Sequence, residues 1–284
     1  RGQLVKFDSD FEVEWSLSIE DHAFNYISAL FVDSNDNIWI FSNDVVVDDN
    51  ETPDDATDDT TTKPRTLVKL SGTDRSVLGT YVSGADESVD WATEWDSNSI
   101  IELSNGNILL ASVKADELLY EIVNPSDMTL VASGTYGSTA DDKVEQVKVA
   151  ADPNGGFYLT GGFRAMDGSL TSLGLTLVGN MDILVSKFDN AGVEQWTTQL
   201  SSTGGWNNAF SVDYYNGHVY LAGEQYGTAD GSFTGTTNQG ASDAMLAKLD
   251  ATDGSLVWTK TFGGSGDERF FDLKVTADGI FAGG

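Results

Sequence analysis

Apolar residues in this chain come in short runs broken by polar turns, and one run recurs five times. Each copy is an apolar strand carrying one charged residue, then a polar turn, then a second strand with a large apolar residue. The copies are Leu4-Val5-Lys6-Phe7-Asp8 to Trp15, Leu67-Val68-Lys69-Leu70 to Leu78, and Leu119-Tyr120-Glu121-Ile122 to Leu130. They continue with Leu184-Val185-Ser186-Lys187-Phe188-Asp189 to Trp196 and Met245-Leu246-Ala247-Lys248-Leu249-Asp250 to Trp258. The charged residue precedes the apolar anchor by nine positions in four copies and by ten in the fifth. An internal repeat of this regularity sets the architecture before any single residue is considered.

A second strand pair follows each copy, around turns at Asp33-Ser34-Asn35-Asp36-Asn37, Ser104-Asn105-Gly106-Asn107, Pro153-Asn154-Gly155-Gly156, Asn216-Gly217 and Asp278-Gly279. These lead into Ile38-Trp39-Ile40, Ile108-Leu109-Leu110, Phe157-Tyr158-Leu159, Val219-Tyr220-Leu221 and Ile280-Phe281-Ala282. From Lys6 to Ile38, Lys187 to Val219 and Lys248 to Ile280 the distance is 32 residues each time. Asn-Gly and Asp-Gly supply the positive φ that tight hairpins need. Each unit therefore reads as four short antiparallel strands, the size of a propeller blade. The fold class expected is all-β.

The stretch Asp243 to Asp250, the Gly254 turn, Trp258 and Phe262-Gly263-Gly264-Ser265-Gly266-Asp267 resembles the bacterial β-propeller repeat family often abbreviated SBBP. Asp182 to Ala222 is similar to it as well, whereas residues 66–160 match only in pattern, with Leu78 and Leu130 where the Trp would stand. The resemblance implies a module of a large extracellular or cell-surface bacterial protein, in a family whose members commonly have no known catalytic role. It also implies a strand order a to d from the ring centre outward. The chain then opens on strands c and d and ends on a and b. Pairing the last a–b hairpin (residues 270–283) with the first c–d hairpin (residues 3–17) would close a β-propeller of five four-stranded antiparallel blades. A segment of a ring with six to eight blades is the rival. Asp253-Gly254-Ser255-Leu256-Val257-Trp258 also resembles the docking motif of quinoprotein propellers, convincingly in this one repeat.

Composition narrows the function classes. At 284 residues the chain is long for one domain but ordinary for an all-β ring, so 1–284 is expected to be a single domain. The start at Arg1, without an initiator Met, and the end at Gly284 directly after a strand suggest a segment of a larger protein. The net charge is −30, with 45 acidic residues against 15 Lys and Arg, which argues against nucleic-acid partners and anionic membranes. No run of apolar residues is long enough to insert into a membrane. So acidic a surface suits a saline exterior, where the screening length falls to roughly 4–5 Å. With no cysteine there are no disulfides, thiolate metal sites or cysteine nucleophiles.

Antiparallel alternation puts the short a–b and c–d turns at one face and the long b–c and d–a connections at the other. Long loops on a rigid frame are where binding resides. The b–c connection 43–65 carries eight acids before Lys63 and reads as a mobile, solvated insertion. Asp167-Gly168-Ser169-Leu170 and Asp230-Gly231-Ser232-Phe233 read as turns whose Leu170 and Phe233 tuck against the sheet. On the d–a connections Asp86, Glu87, Asp90, Asp141, Asp142, Asp267 and Glu268 stand near aromatic Trp91, Trp95 and Trp206, with Asn207 beside the last. Carboxylates next to an exposed indole could form a Ca²⁺-assisted sugar site, and Trp206, Asn207, Asp141, Asp142, Asp267 and Glu268 are its candidate ligand-binding residues. The plainer reading makes the acids rim charges and the Trp residues core. Asp33-Ser34-Asn35-Asp36-Asn37 has a Ca²⁺-loop look, but turn chemistry explains it without a metal.

A glycosidase would need two carboxylates converging in the central funnel, where Asp96, Glu145 and Asp272 are nearest. With only His22 and His218, a Ser-His-Asp triad and a His-rich metal site lack support. The favoured expectation is a non-catalytic structural or adhesion module, not an enzyme, with no cofactor and Ca²⁺ as the one ion its acids would take. Its partners would be other domains of a parent surface protein, or surface glycans. The alternative is a lectin-like binder; glycosidase or quinoprotein-type catalysis ranks below both.

Overall fold

The computed structural model describes residues 3–18, 26–43, 46–48, 60–62, 65–84, 99–114, 117–136, 143–164, 169–170 and 174–284. The chain forms two compact units, residues 1–89 and 90–284. In the first, β1 (Gln3–Phe7) and β2 (Val13–Ser18) make a hairpin. Next come β3 (Tyr26–Val32), β4 (Ile38–Asn43), a small ribbon of β5 (Val46–Asp48) and β6 (Thr60–Thr62), then β7 (Arg65–Leu70) and β8 (Val77–Val82). Apart from the ribbon these form one antiparallel sheet in the order β3-β4-β7-β8. The rest of the acidic stretch 43–65 lies outside the described residues, apart from Asn43 and Arg65 at the strand ends.

The second unit repeats that sheet three times. The first repeat is β9 (Ser99–Glu102), β10 (Ile108–Lys114), β11 (Glu117–Asn124) and β12 (Thr129–Tyr136). The second is β13 (Lys143–Ala151) and β14 (Phe157–Arg164), a minor ribbon of β15 (Ser169–Leu170) and β16 (Leu175–Thr176), then β17 (Asp182–Phe188) and β18 (Glu194–Leu200). The third is β19 (Trp206–Tyr215), β20 (His218–Tyr226), β21 (Ser242–Asp250) and β22 (Leu256–Phe262), followed by the hairpin β23 (Asp272–Thr276) and β24 (Gly279–Gly283). Every one of these sheets is an open antiparallel meander.

The five-bladed ring expected from the repeat is not formed. Among the described residues the first and last hairpins stand as separate two-stranded sheets, and no sheet closes into a propeller. Each terminal hairpin buries one face locally instead. Leu4 of β1, with Trp15 and Leu17 of β2, packs on Ile38, Ile40, Val68 and Leu70. Leu273 and Val275 of β23 pack on Tyr220, Ala222 and Leu246. Face-to-face burial removes apolar surface from water without any edge pairing, and β24 keeps Phe281 59% exposed.

The repeated strand–turn–strand copies share a feature that spacing alone hides. In all five hairpins the register slips at the same place: Lys6/Phe7, Lys69/Leu70, Ile122/Val123, Lys187/Phe188 and Lys248/Leu249. One residue of the outer strand is left unopposed each time: Glu14, Leu78, Val131, Gln195 and Val257. This is a β-bulge, two residues facing one. It puts Trp15, Trp196 and Trp258 directly across from Lys6, Lys187 and Lys248. Leu78 and Leu130 do not stand where those Trp residues do. Gly79 faces Lys69, and Ala132 faces Ile122, which takes the lysine position. Glu121 is therefore one residue out of step, and a one-residue slip sends a side chain to the other face. The turns that close these hairpins share their chemistry too. Asp8, Ser71, Asn124, Asp189 and Asp250 each accept a backbone N–H from two residues further on.

Within the sheets, the lysine of the third strand lies over an aromatic ring of the second. Lys69, Lys187 and Lys248 pair with Trp39, Tyr158 and Tyr220, each with its Nζ 5.4 Å from the ring centroid. A carboxylate at the preceding turn completes two of these clusters. Asp33 accepts from Trp39 Nε1 at 2.9 Å; Asp152 accepts from the Tyr158 hydroxyl at 2.9 Å and pairs with Lys187 Nζ at 2.8 Å. Burial pushes the Asp152 carboxyl up, but the bonds from Lys187, Asn154 and Tyr158 outweigh it and hold the group below its ordinary range.

Lys187→Met should leave that buried carboxylate unpaired and cost about 3 kcal/mol, read as a lower urea midpoint at constant slope. Lys6→Met removes the exposed pair with Glu14 and should cost under about 1 kcal/mol.

Candidate functional site

In the second unit, the strand ends opposite the tight turns are built from interlocking loops. β17 and β21 each carry a fully buried carboxylate near their start, Asp182 and Asp243. Asp182 accepts the Val178 and Gly179 N–H groups and Gln199 Nε2; Asp243 accepts the Gln239 and Gly240 N–H groups. Each incoming loop is thereby fastened to the strand it feeds. Beside them run two equivalent parallel bridges, Met181 to Trp206 and Ser242 to Asp267. The residues after the bridges then repeat one bond, the Asn207 N–H to Met181 O at 3.0 Å and the Glu268 N–H to Ser242 O at 2.9 Å.

Four of the candidate ligand-binding residues thus stand at two equivalent positions rather than around one point. Asn207 is fully buried, and its amide exchanges hydrogen bonds with Ser202 Oγ. Glu268 accepts the Gly264 N–H at 2.9 Å. Trp206 is 37% exposed, with the Arg164 guanidinium 5.1 Å from its ring centroid. Asp141 and Asp142 lie outside the described residues, as do Asp86, Glu87, Asp90, Trp91, Trp95, Asp96 and His22. Phe233 is tucked in as expected, fully buried in the core beneath β22.

The carboxylates considered for catalysis are separated in role. Asp272 accepts from Ser211 Oγ at 2.9 Å and fastens β23 to β19. Glu145 sits across from Gly162 on the β13–β14 pair. His218 is at the tight-turn end, its Nδ1 3.0 Å from Asn216 O. The Asp33 loop is a self-contained turn: its carboxylate takes the Asn35 and Asn37 N–H groups, the Asn37 amide and the Trp39 indole. Among the described residues no group of three or more Asp, Glu or His gathers to hold a metal ion.

Sequence reasoning missed Glu224, Asn208 and Arg269. Glu224 faces Asn208 across β19–β20, and Arg269 Nε reaches its carboxylate at 3.4 Å. Burial raises the Glu224 pKa; Arg269 opposes the rise, and nearby Asp267 and Glu145 add to it. The one sequence signal is Gly223-Glu224, an acid inside an otherwise apolar strand.

No family model matches the chain, and no curated protein matches it in sequence. Among solved structures it is similar to the Dos1 propeller, at 8% identity and TM-score 0.50 over 98% of this chain and 56% of that one. It is also similar to a polysaccharide lyase, an ulvan lyase, at 13% identity and TM-score 0.50 over 87% of this chain and 60% of the other. The chain thus spans little more than half the length of these structures. The likeness is one of fold, to distant propeller-like, multi-bladed β-sheet proteins, and the resemblance to the SBBP family gains no specific support.

A raised carboxyl pKa means the folded state holds its proton longer than the unfolded chain does. Stability should therefore fall as pH rises above the ordinary value of 4.5 through the raised one. Glu224→Gln should flatten that decline, so that variant and parent melt alike near pH 4 and the variant melts higher near pH 7.

Proposed function

We propose that the chain is a non-catalytic binding module whose sheets are a frame and whose recognition surface is the end reached by the long connections. One contrast between the two ends carries this reading. At the tight-turn end, polar side chains are consumed in local bonds, as at Asp8, Asp33, Asn124, Asp152, Asp189 and Asp250. Among the described residues, five buried side-chain atoms have no hydrogen-bond partner: Ser42 Oγ, Ser112 Oγ, Asn208 Oδ1, Gln225 Oε1 and Ser242 Oγ. Four of the five belong to the halves of their strands next to the longer connections; Ser112 stands just before the two-residue link between β10 and β11. A buried polar atom without a partner costs about 1–3 kcal/mol, so each marks a place where water or an incoming group supplies the bond.

The parent would be an extracellular or cell-surface bacterial protein, and the partner a surface glycan or a neighbouring domain. The half-exposed Trp206 face, with Arg164 stacked against it, favours glycans. Among the described residues, no helix is long and apolar enough to cross a membrane.

Hydrogen exchange in the presence of neutral and sulfated polysaccharides tests the reading. Protection should fall on the start of β19 and the end of β20, and Trp206→Ala should weaken it about tenfold or more, the loss expected for a stacked aromatic anchor. Protection at the turns 33–37, 152–156 or 216–217 would count against it, as would protection with none of the probes. Cleavage of any probe would overturn the non-catalytic part.

A further inference from the structure

Three carboxylates, one guanidinium and one unpartnered amide oxygen meet between the β13–β14 pair and the β19–β20 pair. Asn208 and Glu224 are directly opposed across β19–β20, so both side chains leave the same face of that sheet. Glu145 and Gly162 are opposed across β13–β14 and share a face in the same way. The Asn208 amide oxygen fills the space where a side chain at Gly162 would start, since a Cβ there would collide with it. It therefore points at the face of β13–β14 that carries Glu145, with Glu224 at its side. Asn208 is 6% exposed, and its Oδ1 has no hydrogen-bond partner. Asp267 lies close enough to act on Glu224, and Arg269 holds Glu224 loosely at 3.4 Å with its own side chain 40% exposed.

The groups around Asn208 Oδ1 are chiefly acceptors, the Glu224 and Glu145 carboxylates, with the Ser242 hydroxyl as a donor beside Glu224. The described carboxylates do not converge as a metal ion requires. A primary ammonium carries three N–H donors, and two carboxylates with one amide oxygen around it suffice to meet them. We propose that the niche binds a primary ammonium group, which displaces the Arg269 guanidinium from Glu224 and donates to Asn208 Oδ1, Glu224 and Glu145. One cation replaces another, so the charge at the cluster is unchanged, and the amide oxygen gains the bond it lacks. The proposal rests on the binding role proposed above and narrows it, among glycans, to those bearing a free amine.

The test is a titration of the full chain, followed by NMR at the Gly162 and Asn208 amides, with methylammonium, glucosamine and N-acetylglucosamine as probes. Methylammonium and glucosamine should give saturable shifts and N-acetylglucosamine none. Asn208→Leu should weaken binding about tenfold or more, the loss of one charge-assisted hydrogen bond. Arg269→Gln should strengthen it, an effect that a merely structural arginine would not produce. If Asn208→Leu fails to fold, Glu145→Gln serves in its place and should weaken binding in the same direction. Equal shifts with N-acetylglucosamine would overturn the ammonium assignment while leaving glycan binding standing. Binding of methylammonium without glucosamine would keep the niche and sink the glycan reading. No shift with either amine, or binding unchanged in Arg269→Gln, would overturn the proposal.

Discussion

A lysine laid across an aromatic ring on the neighbouring strand fixes how three of the four large sheets are assembled. Lys69 on Trp39, Lys187 on Tyr158 and Lys248 on Tyr220 are cross-strand partners at one position of the repeat. The ammonium cannot be carried into an apolar interior alone, so it is held between a ring face and, at Asp152, a carboxylate. That requirement admits one register. A shift of one residue would turn the lysine to the opposite face and leave the carboxylate buried without a counter-charge. The bulge beside the lysine then brings Trp196 or Trp258 across from it, and the tilted contact of Tyr158 with Trp196 and its stack on Tyr214 continue the packing towards the neighbouring strands.

With the register set, the two ends of each sheet acquire different characters. The tight-turn end is made of residues that bond to themselves within four positions, as Asp33 does to Asn35 and Asn37. Asn216 and Gly217, at φ +47° and +77°, complete the corresponding turn between β19 and β20. The opposite end carries the longer links between neighbouring strands, and in the second unit its loops are held by buried carboxylates such as Asp182 and Asp243. Fastening loops in this way fixes backbone but leaves side-chain acceptors such as Asn208 Oδ1 unmet.

Much of the sheet order could be read from the chain. The five repeated copies, the Asn-Gly and Asp-Gly turns and the apolar strands after them correspond to real hairpins, and the tuck of Phe233 was visible in its turn motif. What could not be read was anything decided by register or by distant contact. Spacing aligned Glu121 with the lysines, because a bulge adds a residue to the outer strand without changing the pattern of apolar positions. Ring closure was inferred from a count of strands, whereas the terminal hairpins satisfy their apolar faces against adjacent sheets. Trp206 and Asn207 were read onto a connection, whereas they open β19, and nothing local shows that Asn207 is buried and bonded to Ser202. Glu224 and Arg269 are 45 residues apart in sequence and meet only in the folded chain.

The recurrent bulge has a consequence for the company the protein keeps. β8, β12, β18 and β22 are the outermost strands of their sheets, and each carries its unopposed residue part-way along: Leu78, Val131, Gln195 or Val257. A foreign strand laid against such an edge meets donors and acceptors that fall out of step at that point. The irregularity that seats Trp196 and Trp258 across from lysines in two of these sheets recurs in all four, and there it spoils the template and guards the sheet edges against runaway strand addition between molecules.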